Sequence, residues 1–129
     1  MNSEKKVLIV TDSDASLDLT AQSIKSCLKD YDVKICPAAD FAGTDLLPSQ
    51  IFFIGCGSPK PPSFSYLEDM LSHINLVSRK CGVFSSDKKS LEYLSGILKA
   101  CEAKLGEPLL TDAKTDKSAV EKWLKGVIE

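Results

Sequence analysis

Two uninterrupted apolar runs, VLIV at residues 7–10 and IFFI at residues 51–54, constrain the fold of this chain more than any other feature. Runs of this length without polar alternation are typical of strands that are buried on both faces, as in a parallel sheet. Segments with an apolar residue every three or four positions follow the runs, which is the spacing of amphipathic helices. We therefore expect strands and helices to alternate along the chain.

Five strand–helix units are predicted from this alternation. The predicted strands are residues 7–10, 32–36, 51–54, 81–84 and a weakly marked 108–111, and a short helix is predicted over residues 40–47. A capping-box pattern of Ser65 and Glu68 predicts the start of the third helix, Asp87 is a predicted cap for the fourth, and Gly106 suits the position just past that helix. The predicted buried stripes of the four longer helices are Leu17, Ala21, Ile24, Leu28 and Tyr31; Leu67, Met70, Leu71 and Ile74; Leu91, Leu94, Leu98, Cys101 and Leu105; and Val120, Trp123, Leu124, Val127 and Ile128.

Five such units predict one α/β domain over residues 1–129, a doubly wound three-layer sandwich with a five-stranded parallel sheet. The common strand order for this number of strands is 2-1-3-4-5. In that order the first and last helices cover one face, and the third and fourth helices cover the other. Ligands of such sheets bind beyond the carboxyl ends of the strands, so the loops at residues 11–18, 55–63 and 85–90 form the expected site.

Composition excludes several classes of protein. The formal net charge of −2 argues against a nucleic-acid or anionic-membrane partner, and no stretch has the length of a transmembrane helix. The apolar run at residues 7–10 is too short for a signal peptide, so a cytoplasmic location is expected. The five cysteines are at least nine residues apart, which predicts five reduced thiols and no zinc site.

Two longer stretches carry a resemblance to a known family. These are IFFIGCGSPKPPSFSYLEDMLSHINLVSRKCGVFSSD and KLGEPLLTDAKTDKSAVEKWLKGVI. A strand that ends in Gly, a Gly-Ser-Pro loop, a helix and the strand Lys-Cys-Gly-Val-Phe-Ser-Ser resemble the middle of a flavodoxin, and the second stretch is similar to the last strand and helix of that family. The resemblance covers nearly the whole chain. It implies a flavodoxin-like fold and a site for FMN in three loops.

The residues that the resemblance places at this site come from the three predicted loops. They are Thr11, Ser13, Ser16, Cys56, Gly57, Ser58, Ser85 and Asp87. The first loop of the family resembles Ser-x-Thr-Gly-Asn-Thr, and here Ser13 keeps the first position. Ala15, Ser16, Leu17 and Asp18 stand at the four later positions.

The other two loops also depart from the family pattern. Lys60, Pro61 and Pro62 follow Gly-Ser-Pro where the family usually offers an aromatic residue for the flavin, and Phe64 and Tyr66 come late. The third loop is short, because Ser85-Ser86-Asp87 runs almost directly into the fourth predicted helix. It carries none of the aromatic residues that the family usually has there.

These departures predict a binding or interaction module that has lost FMN and is not catalytic. In this hypothesis the carboxylate of Asp14 or Asp18 takes the place of the phosphate at the start of the first helix, with Ser13 or Ser16 as the cap. The alternative is an electron carrier of the flavodoxin type that still binds FMN and acts with an unidentified redox or protein partner. An absorbance spectrum distinguishes the two, because bound flavin is yellow.

Two further hypotheses depend on single residues. Response-regulator receivers share the predicted topology, and Asp12 with Asp14, Ser85 and Lys114 resemble their acidic pair, hydroxyl and lysine. Gly55 stands where a receiver has its phosphoacceptor aspartate, so only a receiver-like pseudo-domain remains as an option. A catalytic role for Cys56 would need a nearby base, but the one histidine, His73, falls inside the third predicted helix, on its surface. The sequence therefore predicts no catalytic or metal-binding residue.

Overall fold

The computed structural model describes residues 5–12, 15–112 and 115–128, without the side chain of Ser16. Its strands are β1 (Lys6–Thr11), β2 (Asp32–Pro37), β3 (Ile51–Gly55), β4 (Lys80–Ser85), β5 (Lys104–Leu105) and β6 (Leu109–Leu110). Its helices are α1 (Ala15–Cys27), α2 (Gly43–Leu46), α3 (Ser65–Leu71), α4 (Lys88–Ala100) and α5 (Lys117–Ile128). Two 3-10 turns, Ala38–Asp40 and Pro62–Phe64, precede α2 and α3. None of these helices is long and apolar enough to cross a membrane.

The sheet is parallel and has the order β2-β1-β3-β4-β5, which confirms the predicted order. The predicted fifth strand differs, because it consists of two short pieces that both pair with β4. Pro108, which has no N–H to donate, lies in the gap between the pieces. The Gly106 N–H still donates to the Cys81 carbonyl over 3.1 Å, so the chain stays alongside β4 through the gap.

The two apolar runs supply both faces of the sheet. Val7, Ile9 and Phe53 pack with α1 and α5 in one cluster, and Leu8 and Phe52 pack with α3 and α4 in the other. Neighbouring residues of a strand point to opposite faces, so a strand with helices on both sides has to be apolar throughout. The predicted assignment of the helices to the two faces is confirmed.

The structure corrects two predicted helix boundaries, the start of α3 and the end of α4. The capping box of Ser65 does not form, because the 3-10 turn places Phe64 at the N-cap, where no side chain caps the helix. Helix α4 is capped by Asp87 as predicted, but it ends at Ala100. Glu102 then adopts a left-handed backbone with a φ of 63°, which turns the chain so that Leu105 joins the sheet. Gly106 is therefore not the helix terminator and instead lies against α5.

The close approach of Gly106 to α5 explains why this position has no side chain. A Cβ atom there would lie 2.9 Å from Cγ2 of Val127 and 3.1 Å from its Cα. Both distances are shorter than ordinary van der Waals contacts, and the second involves backbone. The glycine thus lets the last helix pack close to the edge strand.

Candidate functional site

The carboxyl ends of β1, β3 and β4 meet at one edge of the sheet. Thr11 is the register partner of Gly55, and Gly55 is the register partner of Phe84. The loops that follow these three strands therefore start side by side. This is the edge where ligands of doubly wound sheets bind, and it carries the predicted site residues that the structure describes.

A hydrogen bond joins the first two loops. Oδ2 of Asp12, which directly follows β1, accepts a hydrogen bond of 2.8 Å from the backbone N–H of Gly57, which follows β3. Both residues are partly buried. The carboxylate thus accepts from the backbone N–H of Gly57 just beyond the ends of the two strands. Hydrogen bonds from N–H groups to charged acceptors are stronger than those between neutral groups.

A second set of hydrogen bonds joins the loops after β3 and β4. The buried hydroxyl of Ser85 donates to the Cys56 carbonyl over 2.5 Å and accepts from the Asp87 N–H over 3.0 Å. Oδ2 of Asp87 in turn accepts from the backbone N–H and the hydroxyl of Ser90, at 3.1 and 3.0 Å, and so caps α4. The bond from Ser85 to Cys56 joins the third loop to the second, and the bonds to Asp87 join the third loop to the start of α4.

Gly55 is the last residue of β3, at this edge of the sheet. A Cβ atom at this position would lie 2.6 Å from Cε2 of the Phe84 ring, a distance that real Cβ contacts do not show. The position where a receiver carries its phosphoacceptor aspartate is therefore filled by the neighbouring aromatic ring. A phosphoacceptor aspartate could not stand at this residue without a shift of Phe84, and the receiver-like pseudo-domain, which lacks that aspartate, stays a prediction.

The thiol of Cys56 is not set up as a nucleophile. Its side chain is fully buried, and burial, together with a smaller contribution from the Asp12 carboxylate, raises the pKa of the thiol to about 12. A thiol with such a pKa is protonated at neutral pH, and the thiolate is the reactive form. His73 lies in the turn after α3, on the surface, where its ring is bonded to the Asp69 carbonyl at 2.9 Å, so it is no base for Cys56.

Other predicted residues are placed as follows. Ser13 and Asp14, together with Lys114 of the receiver hypothesis, lie outside the described residues, and the Ser16 side chain is not described. Asp18 lies in the first turn of α1 and is exposed, and its carboxylate has no hydrogen bond to any described residue. Ser58 is exposed as well. Within the described part of the chain, Asp12 accepts a hydrogen bond from the backbone N–H of another loop at this edge, that of the β3 loop, whereas Asp87 accepts one from its own helix.

The two late aromatic residues have different environments. Phe64 is fully buried in the core cluster beneath α3 and α4, so its ring is not available to a ligand. Tyr66 is 52% exposed, and its ring packs against Phe41 with the centroids 6.3 Å apart. Within the described ranges there is also no group of three or more His, Cys, Asp or Glu side chains that could hold a metal ion.

The pairing of Asp12 with Gly57 is not among the contacts that the sequence predicts. The signal was present, because an acid follows one strand and a Gly-x-Gly segment follows the strand predicted beside it. Glycine N–H groups at a strand end are accessible donors, and an acid at the end of the neighbouring strand is within reach of them. Sequence spacing alone hides the contact, since 45 residues separate the two groups.

Several flavodoxins are similar to this structure. The flavodoxin of Streptococcus pneumoniae TIGR4 superposes with a TM-score of 0.81 at 15% identity, covering 95% of this chain and 97% of its own. Oxidised Flavodoxin 2 from Bacillus cereus gives 0.74 at 21% identity, with 95% of both chains covered. A flavodoxin from the domain Archaea gives 0.75 at 10% identity and covers 96% of this chain and 99% of its own.

No protein-family model matches the sequence, and no curated protein matches it. The likeness to the three flavodoxins is therefore one of fold, since their identities lie between 10% and 21%. It agrees with the parallel sheet, its order and the placement of the helices. The chain has the flavodoxin-like fold.

Proposed function

We propose that this chain is a flavodoxin-like domain that serves as a non-catalytic binding or interaction module and has lost the FMN site of that fold. The observation that carries the proposal is the hydrogen bond from the Gly57 N–H to the Asp12 carboxylate. A backbone donor at the edge where this fold binds its ligand is already occupied by an acid of the chain itself. The Ser85 hydroxyl is likewise bonded to the neighbouring loop, at the Cys56 carbonyl, and the Asp87 carboxylate is bonded to Ser90 at the start of α4.

Charge supports the proposal. A phosphate group carries about −1.5 to −2 charges at neutral pH. At about 5 Å and an effective dielectric constant near 20, one carboxylate repels each unit of that charge by about 3 kcal/mol. A nanomolar complex has only about 12 kcal/mol of binding free energy in total, so one acid such as Asp12 beside the phosphate removes a large part of it.

The aromatic residues support it as well. A flavin ring offers a large flat surface, and stacked aromatic rings bind such surfaces. Phe64 is part of the core, and Tyr66 packs on Phe41. The loop after β4 contributes Ser86 and Asp87, which have no ring.

The second candidate function is electron transfer by bound FMN. The observation in its favour is that flavodoxins match this chain over 95% or more of its length, and over a similar share of their own. In this case Asp12 would have to release Gly57 when the cofactor binds. The unidentified partner would then be a redox protein.

An FMN titration distinguishes the two candidates. We expect the purified protein to be colourless, and we expect titration with FMN, followed by the quenching of flavin fluorescence, to show a dissociation constant of about 1 mM or weaker. The double variant Asp14→Thr with Asp18→Thr should bind FMN or inorganic phosphate better than the parent, because two charges are removed and hydroxyls are added. A yellow protein, or submicromolar binding by the parent, would overturn the proposal and support the electron carrier.

A further inference from the structure

A cavity of about 350 Å³ opens between α1 and the segment that leads from β6 into α5. It lies on the side of the sheet that α1 and α5 cover, and neither Asp12 nor Gly57 lines it. We call it the hydroxyl cavity, because five of its lining residues carry a side-chain hydroxyl, namely Thr20, Ser23, Ser86, Thr111 and Thr115.

Two of these hydroxyls belong to residues that are almost fully buried. Thr20 and Thr111 are each 6% exposed, yet neither hydroxyl has a hydrogen bond to any described residue. In the described part of the chain, every side-chain oxygen of a buried residue that is sealed from solvent does have a partner. The two hydroxyls are therefore not sealed in the core, and the opening that reaches them is the hydroxyl cavity, which both residues line.

The chain itself gives these two hydroxyls no role. Thr20 lies on the buried face of α1, where the residues three before it and four after it are Leu17 and Ile24. Thr111 is fixed by its backbone, whose N–H donates to the Ser85 carbonyl over 2.7 Å. An unpaired hydroxyl at a buried position is unfavourable, and valine would fill either position without one. A ligand that bonds to both hydroxyls explains why threonine stands at the two positions.

The other lining residues indicate the class of ligand. Asp112 is the one acid among the described residues that line the cavity, and none of them is Lys or Arg, so an anionic ligand would be repelled. Hydroxyls both donate and accept, and five of them match a ligand that carries several hydroxyls of its own. The buried Val120 and the exposed Leu19 add apolar surface, on which the C–H groups of a ring can pack.

We propose that the hydroxyl cavity binds a small neutral polyol, of the size of one sugar ring, through the hydroxyls of Thr20 and Thr111. The volume of the cavity is at the lower end of the range for small-molecule sites, which suits a single ring better than a nucleotide. The proposal does not depend on the loss of FMN, because Asp12 and Gly57, whose bond carries that hypothesis, do not line the cavity.

Titration of the whole chain with myo-inositol, a ring that carries a hydroxyl on every carbon, tests the proposal. Binding is followed by the backbone amide signals in NMR spectra, up to about 50 mM ligand. We expect saturable shifts in α1, after β4 and between β6 and α5, with a dissociation constant of about 1–10 mM. Cyclohexanol has the same ring with a single hydroxyl, and it should bind at least about tenfold more weakly.

Threonine-to-valine variants test the two hydroxyls directly. Thr20→Val and Thr111→Val keep the shape of the side chain, and each should weaken the binding of myo-inositol at least about threefold. Thr44→Val is the matched control, because Thr44 is an exposed threonine of α2 that does not line the cavity, and it should leave binding unchanged. Without ligand, the midpoint of thermal unfolding of the two cavity variants should equal or exceed that of the wild type, since neither hydroxyl is bonded within the described protein.

Four outcomes would overturn the proposal. They are the absence of shifts up to about 50 mM myo-inositol, binding of cyclohexanol as tight as that of myo-inositol, binding that persists undiminished in Thr20→Val and Thr111→Val, and a lower unfolding midpoint in both variants. The first three would mean that the cavity takes up solvent only. The last would mean that the two hydroxyls stabilise the protein through bonds of its own.

Discussion

The Asp12 carboxylate and the Gly57 N–H are joined by a hydrogen bond of 2.8 Å, although 45 residues separate them in the chain. The bond ties the end of β1 to the end of β3, which are neighbouring strands in the interior of the sheet. It also means that the Gly57 N–H, in the loop after β3, is bonded to a side chain of the protein itself. This loop lies at the edge of the sheet where ligands of this fold bind. We therefore expect this bond to contribute to the stability of the protein and also to keep the Gly57 N–H from bonding to a ligand.

Replacement of Asp12 tests this link. Asp12→Ala should lower the free energy of unfolding by about 1–3 kcal/mol, because the partly buried Gly57 N–H loses a charged acceptor. Asp12→Asn should lower it less, since the amide oxygen can still accept. Asp18→Ala is the control, and we expect a change within about 0.5 kcal/mol for this exposed residue. Urea unfolding followed by circular dichroism measures all three, and equal effects of Asp12→Ala and Asp18→Ala would contradict the proposed role.

A pair of glycines gives the second prediction. Gly55→Ala should destabilise the protein by about 1–3 kcal/mol, because the added methyl would lie 2.6 Å from the Phe84 ring inside the packed core. Gly96→Ala should instead stabilise it by up to about 1 kcal/mol, since its methyl meets no neighbour and alanine is the better helix former. Thermal unfolding of the two variants should shift in opposite directions. A stabilised Gly55→Ala variant would show that Phe84 can move away.

Much of the fold could be predicted from the sequence because apolar periodicity reports local burial. The runs at β1 and β3 have no polar residue, and this indicates a strand between two helical layers. The same reasoning failed at Leu105, whose position continues the apolar stripe of α4 although the residue belongs to the sheet. Periodicity cannot detect the left-handed turn at Glu102 that ends the helix, since a glutamate carries no signal for a positive φ.

The sequence predicts at which edge of the sheet the candidate site lies, but it does not predict the hydrogen bonds within the site. The parallel topology brings Thr11, Cys56 and Ser85 to one edge, and that followed from the strand order. The bond between Asp12 and Gly57 depends on the side-chain direction of one residue and the backbone direction of another, and neither follows from the pattern. The steric closure at Gly55 also depends on the register with Phe84, which the sequence does not specify.

Arg79 provides the third prediction. Its guanidinium donates to the carbonyls of Leu46, Leu47 and Ser49, at 3.1, 3.0 and 2.6 Å, and so holds the end of α2 against the start of β4. Arg79→Lys keeps the charge but loses the planar group that reaches three acceptors, so we expect a loss of about 1–3 kcal/mol in the free energy of unfolding.

Lys34→Gln is the comparison for Arg79, because it removes another cation. Lys34 forms an exposed ion pair with Asp45 at 2.8 Å, and such pairs contribute little. Chemical unfolding of both variants in the same buffer measures the difference. A loss in Arg79→Lys as small as in Lys34→Gln would show that the three carbonyl bonds are dispensable.

The thiol of Cys81 gives a prediction for the dependence of stability on pH. This side chain is fully buried, and burial, together with a smaller contribution from the neighbouring Cys101, raises the pKa of the thiol from 9.0 to about 12. In the unfolded chain the thiol ionises near its ordinary pKa, so above that pH the unfolded state binds fewer protons than the folded state. The stabilising contribution is therefore complete below about pH 9, and it decreases as the pH rises toward the folded pKa.

Comparison of variants isolates the effect of Cys81 from the other groups that titrate in alkali. Between about pH 8 and about pH 10, the wild type should lose about 1 kcal/mol more of its free energy of unfolding than Cys81→Ala does, because only the wild type can ionise this thiol on unfolding. The half-buried Cys27 is the control, and Cys27→Ala should show nearly the full wild-type loss, since burial also raises the pKa of that thiol but not to so high a value. Urea titrations at each pH, with a reductant present to keep the thiols free, measure these slopes. An equal loss of unfolding free energy in the wild type and in Cys81→Ala would contradict the prediction. It would mean that the Cys81 thiol ionises as readily in the folded protein as in the unfolded chain.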